Sequence, residues 1–227
     1  MSSGTSSSGE ARALLKRGRL AATEIVVWRG RRVVRKTLEM RPRLPLLSRQ
    51  IDIWLANREV RQFQQARGIP GIPRVLARPA RNVYLREYIE GVALPRAPTP
   101  SCAFFDQLME IAGALHERGI THNDLHKEAN VIVQPDGKPA LLDFQLSLTL
   151  DKGSALFRVL TLFDRYHVVK NRRHRTKSLL SPEEEALFLR TKEIRGLHRR
   201  IIKKPMNILT RRLFPQRLGK LPTDTDP

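Results

Sequence analysis

His122, Asp124, Asn130 and Asp143 fall within one stretch, Thr121 to Gln145, which reads THNDLHKEANVIVQPDGKPALLDFQ. Two carboxylates and a carboxamide are hard oxygen donors. Brought together, they suit magnesium and can orient a hydroxyl beside a phosphate. One aspartate alone marks nothing: Asp136, in Pro135-Asp136-Gly137-Lys138, has the ordinary task of making a turn. The ordered set is far more specific. Upstream, Lys36 closes Val33-Val34-Arg35-Lys36, and Glu59 follows 23 residues later. A carboxylate paired with a lysine keeps the ammonium charged and aimed, so that it can reach a bound phosphate. Taken singly, Lys36 reads as a solvated strand residue and Glu59 as a surface partner of Arg58 or Arg61.

These residues need elements to carry them. Leu14 and Leu15, Glu24 to Trp28 and Val33 to Leu38 read as strands, with Arg29-Gly30-Arg31 as a turn. Gly18 lies between the first two, where a loop can pass over phosphates. Faces alternate along a strand, so only one of Arg35 and Lys36 can face a cleft. Ser48 to Ala66 predicts a helix with Ile51, Trp54, Leu55, Val60 and Phe63 as its apolar positions. Arg74 to Ala77 and Val83 to Ile89 predict two more strands, joined by a turn over Pro79–Asn82. Glu90-Gly91 and three prolines in residues 92–100 mark a lobe boundary. In a cleft between lobes, backbone groups from Glu87 to Ile89 can read an adenine edge. Beyond it, Thr99-Pro100 resembles a helix start, Phe104, Leu108, Ile111, Ala112 and Leu115 recur at helical spacing, and Gly119 is the stop. A hairpin, Val131 to Val133 and Ala140 to Asp143, brings Asp143 back towards Asp124. Ser181-Pro182-Glu183-Glu184 has the form of a capping box opening a last helix.

Composition bounds the partners. The chain has 227 residues, 41% of them hydrophobic, enough for one domain or two small lobes. It carries 42 Lys and Arg against 22 Asp and Glu, a formal charge of +20. Between Arg165 and Lys220 there are 17 basic and 4 acidic residues. Such a field favours phosphorylated metabolites, acidic lipid headgroups or nucleic acid. No zinc-finger spacing, RNP-like aromatic strand or basic zipper accompanies it, so nucleic acid is not the favoured partner. Cys102 is the only cysteine, which excludes an intrachain disulfide and an all-cysteine zinc site and makes the cytoplasm the default expectation. No apolar run reaches the roughly 18 residues of a spanning helix. Residues 1–10 read as a flexible tail, 11–90 and 91–205 as two lobes, and 206–227 as a basic, then flexible tail.

The ordered motifs resemble the protein-kinase-like superfamily in a reduced form, and are similar to small bacterial, RIO-type or lipopolysaccharide (Kdo)-type kinases. Val33-Val34-Arg35-Lys36 resembles the strand ending in the phosphate-binding lysine, and Glu59 its helix partner. His122-Asn123-Asp124-Leu125 resembles the catalytic loop, Asn130 its asparagine, and Asp143-Phe144-Gln145 the Asp-Phe-Gly triplet. The resemblance implies an α+β, bilobal fold with an N-terminal antiparallel sheet, one helix and a truncated helical C-terminal lobe. It implies ATP and Mg²⁺ as cofactors. Asp124 would orient the acceptor hydroxyl, with Lys36 and Glu59 on the phosphates. Gly18, Lys36, Glu87, Ile89, Asn130 and Asp143 would hold the nucleotide, and Asn130 and Asp143 the metal. His122 would prop the loop. The acceptor expected first is protein Ser or Thr, with an anionic sugar or lipid as the alternative and a peripheral contact with an acidic inner-membrane face. A pseudokinase scaffold and a nucleic-acid-binding protein are the other readings. Three departures stand out: six residues separate Asp124 from Asn130 where the pattern has five, Asn123 replaces arginine, and Gln145 replaces glycine.

Overall fold

The computed structural model describes residues 13–17, 21–39, 45–177 and 179–198. Gly18, the segment 1–10 and the segment 206–227 lie outside them. The first half is a five-stranded antiparallel sheet with one helix. Strands β1 (Ala13–Arg17), β2 (Ala21–Trp28), β3 (Arg31–Leu38), β4 (Val75–Ala80) and β5 (Val83–Glu87) take the order β1-β2-β3-β5-β4, and α1 (Pro45–Gln65) enters between β3 and β4 in sequence. Arg29 and Gly30 both have positive φ, 50° and 73°, the conformation that a two-residue hairpin needs to match strand twist.

Alternation along β3 buries Val34, Lys36 and Leu38 on one face. The side chain of Lys36 is thereby carried into the interior between two apolar neighbours. The buried face of α1 is Asp52, Ala56, Glu59, Val60 and Phe63, at helical spacing. This corrects the expected stripe: Trp54 is 58% exposed, and Ile51 and Leu55 are half-buried. The apolar pattern looked irregular because two inward positions hold carboxylates. β4 runs to Ala80, further than expected, and β5 stops at Glu87, leaving Tyr88 and Ile89 as connecting chain.

Short elements and helices form the second half. The chain crosses at Gly91, whose φ of 143° and close approach to the Val133 carbonyl oxygen leave room for no side chain. After β6 (Val92–Ala93), α2 spans Cys102–Glu117. Its N-cap is Ser101, which accepts from Phe104 N at 3.3 Å, so the helix begins two residues later than Thr99-Pro100 indicated. Phe104, Leu108, Ile111, Ala112 and Leu115 are buried as the spacing predicts, and Gly119 follows the helix end at φ 72°. Next come β7 (Ile120–Thr121), the hairpin β8 (Val131–Val133) and β9 (Pro139–Leu141), and β10 (Leu148–Thr149), which pairs with β7. Helices α3 (Ala155–Thr176) and α4 (Pro182–His198) complete the described chain. The capping box at the start of α4 is formed in both directions: Ser181 Oγ accepts from Glu184 N at 3.3 Å, and Glu184 Oε2 accepts from Ser181 N at 2.9 Å.

One core runs through both halves. Phe63 of α1 packs on Phe144 at 4.7 Å between ring centroids, and Phe144 packs on His122 at 5.0 Å. Arg118 donates to the carbonyls of Gln65 and Arg67 at 2.9 and 2.7 Å, closing the C-terminal end of α1 from the other half. Among the described residues no helix is long and apolar enough to cross a membrane.

Candidate active site

Lys36 Nζ lies 2.7 Å from Glu59 Oε1 and 3.0 Å from Asp143 Oδ1. The β3 lysine thus bridges α1 and the segment after β9. Burial by itself lowers the Lys36 pKa, but the pull of Glu59 and then Asp143 outweighs it, and the ammonium is held above its usual range. Burial pushes Glu59 up against the pull of Lys36. For Asp143, burial is again the largest influence and acts upward, yet Lys36 overrides it and brings the carboxyl down to about 2. Asp143 is therefore a stable carboxylate at neutral pH, a hard donor fit for a hard cation.

Asp124 is 2% exposed. Its Oδ2 accepts from Asn130 Nδ2 at 2.9 Å and from Lys127 Nζ at 2.7 Å. Its Oδ1 has no hydrogen bond, although His126 Nδ1 stands 3.3 Å away. A carboxylate held on one side with a lone oxygen on the other is arranged to take a proton or orient a hydroxyl. The extra residue between Asp124 and Asn130 is absorbed by a short 3-10 turn, Glu128–Asn130. Asn130 Nδ2 also donates to Asp124 O at 3.1 Å, and the Asn130 carbonyl accepts from Leu142 N at 2.8 Å. The six-residue spacing thus still returns Asn130 to Asp124 and to the strand end that leads into Asp143. With its nitrogen turned to Asp124, the amide oxygen is the atom left to face a cation.

His122 is fully buried, and burial lowers its pKa despite the carboxylates around it. Its Nδ1 accepts from Asp124 N at 3.3 Å and its Nε2 lies 3.2 Å from Leu142 O, which assigns the neutral Nε2–H form. It joins the Asp124 and Asp143 segments as a prop. Asn123 and Asp143 have positive φ, 64° and 66°, conformations these side chains tolerate when surroundings fix them. Asn123 Nδ2 donates to Thr121 Oγ1 and Leu146 O, both at 3.0 Å, so this position braces the loop.

Three contributors were not read from the sequence. Asp164 of α3 is 1% exposed and accepts from His122 N at 2.7 Å, Asn123 N at 2.9 Å and, on the ring side, His116 Nε2 at 3.2 Å. Its signal was present: an aspartate inside the apolar run Phe157 to Val169 must be paired if it is buried. Lys127 reaches Asp124 from the inserted turn, and no spacing rule points to it. Arg58 donates to Gln145 O at 3.0 Å and Ser147 O at 2.6 Å, tying α1 to the chain just after Asp143. Glu87 turns its side chain outward, accepting from Arg74 N at 2.9 Å and Nε at 2.7 Å, and its own N–H donates to Arg74 O. Its carbonyl accepts from Arg86 Nη1 at 3.3 Å. Ile89 follows in the connecting chain, its N–H without a partner among the described residues.

Comparison with known proteins bears on the fold. No family model matches the sequence. The probable serine/threonine-protein kinase mkcF of Dictyostelium discoideum is 34% identical over 77 residues, 30% of this chain and 11% of that protein. The Rio2 kinase of Chaetomium thermophilum superposes with a TM-score of 0.62 at 15% identity, covering 75% of this chain and 60% of that one. The ADP/Mg²⁺-phosphoaspartate complex of that kinase gives 0.58 at 16% identity, covering 76% and 58%. The chain spans less than two thirds of each of these relatives. Its fold is the mixed α+β, kinase-like fold of Rio2, with an N-terminal sheet and a helical C-terminal region.

Proposed function

We propose that this chain is a magnesium-dependent phosphotransferase that moves the γ-phosphate of a purine nucleoside triphosphate, ATP being the donor the sequence resemblance implies, to a hydroxyl. The observation that carries the reading is the bridge from Lys36 to both Glu59 and Asp143 beside an Asp124 with one free oxygen. The ADP/Mg²⁺ complex of a protein with this fold supports the choice of ligands.

In this reading Lys36 holds the α- and β-phosphates, and Glu59 fixes where its ammonium sits. Asn130 and Asp143 would hold magnesium, whose charge neutralises the phosphates when it is bound. Asp124 Oδ1 accepts the proton of the acceptor hydroxyl as its oxygen bonds to the γ-phosphorus. The bond from that phosphorus to the β–γ bridging oxygen breaks, and the diphosphate leaves. Lys127, already on Asp124, supplies positive charge where the phosphoryl group passes. The Arg58 ties hold the segment after Asp143 in place without a modified residue, which suits a constitutively assembled kinase. A Ser or Thr hydroxyl of a protein is the proposed acceptor, in the cytoplasm, and an anionic sugar or lipid headgroup is the competing one.

The test is nucleoside diphosphate release with magnesium across a panel of proteins and anionic glycolipids, with products read by mass spectrometry. Asp124→Asn and Asp143→Asn, folded by circular dichroism, should each reduce turnover roughly 10²–10⁴-fold. Full activity in both overturns the reading.

A further inference from the structure

Arg86 is a buried cation to which the chemistry above gives no task. It lies on β5, 7% exposed, opposite Val34, while Tyr84 lies opposite Lys36. Opposed residues in an antiparallel pair share a face, and alternate residues of one strand do too. Arg86 therefore belongs to the same face as Val34 and Lys36, the face on which Lys36 meets Glu59 and Asp143. An apolar side chain would be the ordinary occupant of such a position. A buried guanidinium normally has a carboxylate beside it. Among the described residues none lies within salt-bridge distance of Arg86. Burial lowers its pKa, with Tyr84, Glu59 and Asp143 acting the other way, and an arginine so placed stays charged.

Its hydrogen bond runs from Nη1 to the carbonyl oxygen of Glu87, 3.3 Å. Its Nε and Nη2 have no hydrogen-bond partner among the described residues. That carbonyl is the group of Glu87 left for a base, since its N–H and carboxylate are both taken by Arg74. Arg86 thus covers an acceptor and presents donors in its place. At the purine six-position adenine carries an amino donor, whereas guanine and hypoxanthine carry a carbonyl acceptor. A guanidinium fork matches O6 and N7 of the latter and opposes the amine of the former.

We propose that Arg86 is a specificity determinant that makes the cleft favour a 6-oxo purine nucleoside triphosphate, GTP or ITP, over ATP. This rests on the phosphotransfer reading for placing a nucleotide in the cleft, and goes beyond it by naming the base.

The test is equilibrium binding to the full chain with saturating magnesium, read as displacement of a fluorescent purine nucleotide by the non-hydrolysable β,γ-imido analogues of ATP, GTP and ITP. ITP lacks the guanine amino group and so isolates the 6-oxo contribution. The GTP and ITP analogues should bind about tenfold or more tighter than the ATP analogue. Arg86→Met, which keeps the volume and removes the donors, should abolish or reverse that ratio. Arg86→Gln, which can donate or accept, should shrink it, and serves alone if the methionine variant does not fold. An ATP analogue that binds as tightly as the others in the unaltered chain, or a ratio that neither variant moves, overturns the proposal. Lys36→Met separates it from the reading beneath: all three analogues should weaken together. If they do and the base ratio fails, only the selectivity falls. If no analogue binds, or Lys36→Met changes nothing, both fall.

Discussion

Glu59 on α1 and Asp164 on α3 are both sealed carboxylates, at 0% and 1% exposure. Asp164 is saturated: two backbone N–H groups and one imidazole nitrogen surround it. Glu59 has a single ammonium on Oε1, while Oε2 and the neighbouring Tyr84 hydroxyl have no hydrogen bond of good geometry. Buried polar groups are ordinarily satisfied, so the incomplete ones carry information. Glu59 Oε2, Tyr84 Oη, Asp124 Oδ1 and Gln145 Nε2 are incomplete on the cleft elements or the segment after Asp143, and Arg35 Nε, Arg172 Nε and Arg175 Nε are incomplete away from them. Asp164, under the loop from Thr121 to Asp124, holds a shape and uses up its hydrogen bonds. In the proposed function, the region around Lys36 receives a charge that arrives with the nucleotide.

Four measurements would break or sharpen that contrast. Lys36→Met should lower phosphotransfer by roughly 10³-fold, since it removes the charge that aligns the phosphates. Its melting temperature should fall far less than that of an Asp164 variant, and the reverse order would break the comparison. Asp164→Ala strands two buried backbone N–H groups, and should cost about 3 kcal/mol in urea unfolding. Asp164→Asn, which keeps an acceptor, should recover part of it.

The third concerns acid. Asp143 titrates near 2 when folded against an ordinary aspartate near 3.8. A depressed carboxyl stabilises the fold fully above the unfolded value and loses that contribution as pH falls through the folded one. The window is therefore about pH 4 down to about pH 2, and the contribution about 2 kcal/mol. Asp143→Asn should be less stable than the unaltered chain at pH 7, with the gap narrowing at pH 3; a constant gap would show that Lys36 does not hold the carboxylate. The smallest effect is expected for Arg58→Met, which loses the ties to Gln145 O and Ser147 O. A cost of about 1–2 kcal/mol and a several-fold drop in turnover should appear, with faster hydrogen exchange confined to residues 143–148.

Much of this arrangement was legible in order and in period. Two-residue alternation carried Lys36 to the inner face of β3, and helical spacing marked the buried side of α2. Ser181 and Glu184 announced the start of α4 because a capping box is a local, reciprocal contact. Local signals erred where a charged residue sat on an inward face. The stripe of α1 was misplaced towards Trp54 because Asp52 and Glu59 occupy positions that a hydropathy pattern expects to be apolar.

By itself, then, the sequence determined the order of the elements, the identity of Lys36, Glu59, Asp124, Asn130 and Asp143 as candidates, and the excess of positive charge. Tertiary structure alone decided that Lys36 meets an aspartate 107 residues away, and that Asp164, 42 residues beyond His122, anchors the loop. It also decided that an inserted residue folds into a turn, brings Lys127 onto Asp124 and still returns Asn130. The physical reason is that periodicity encodes which face a residue takes, a matter of neighbours along the chain. Which charges satisfy one another, and which buried atoms are left waiting, depends on elements that meet only after the whole core has closed.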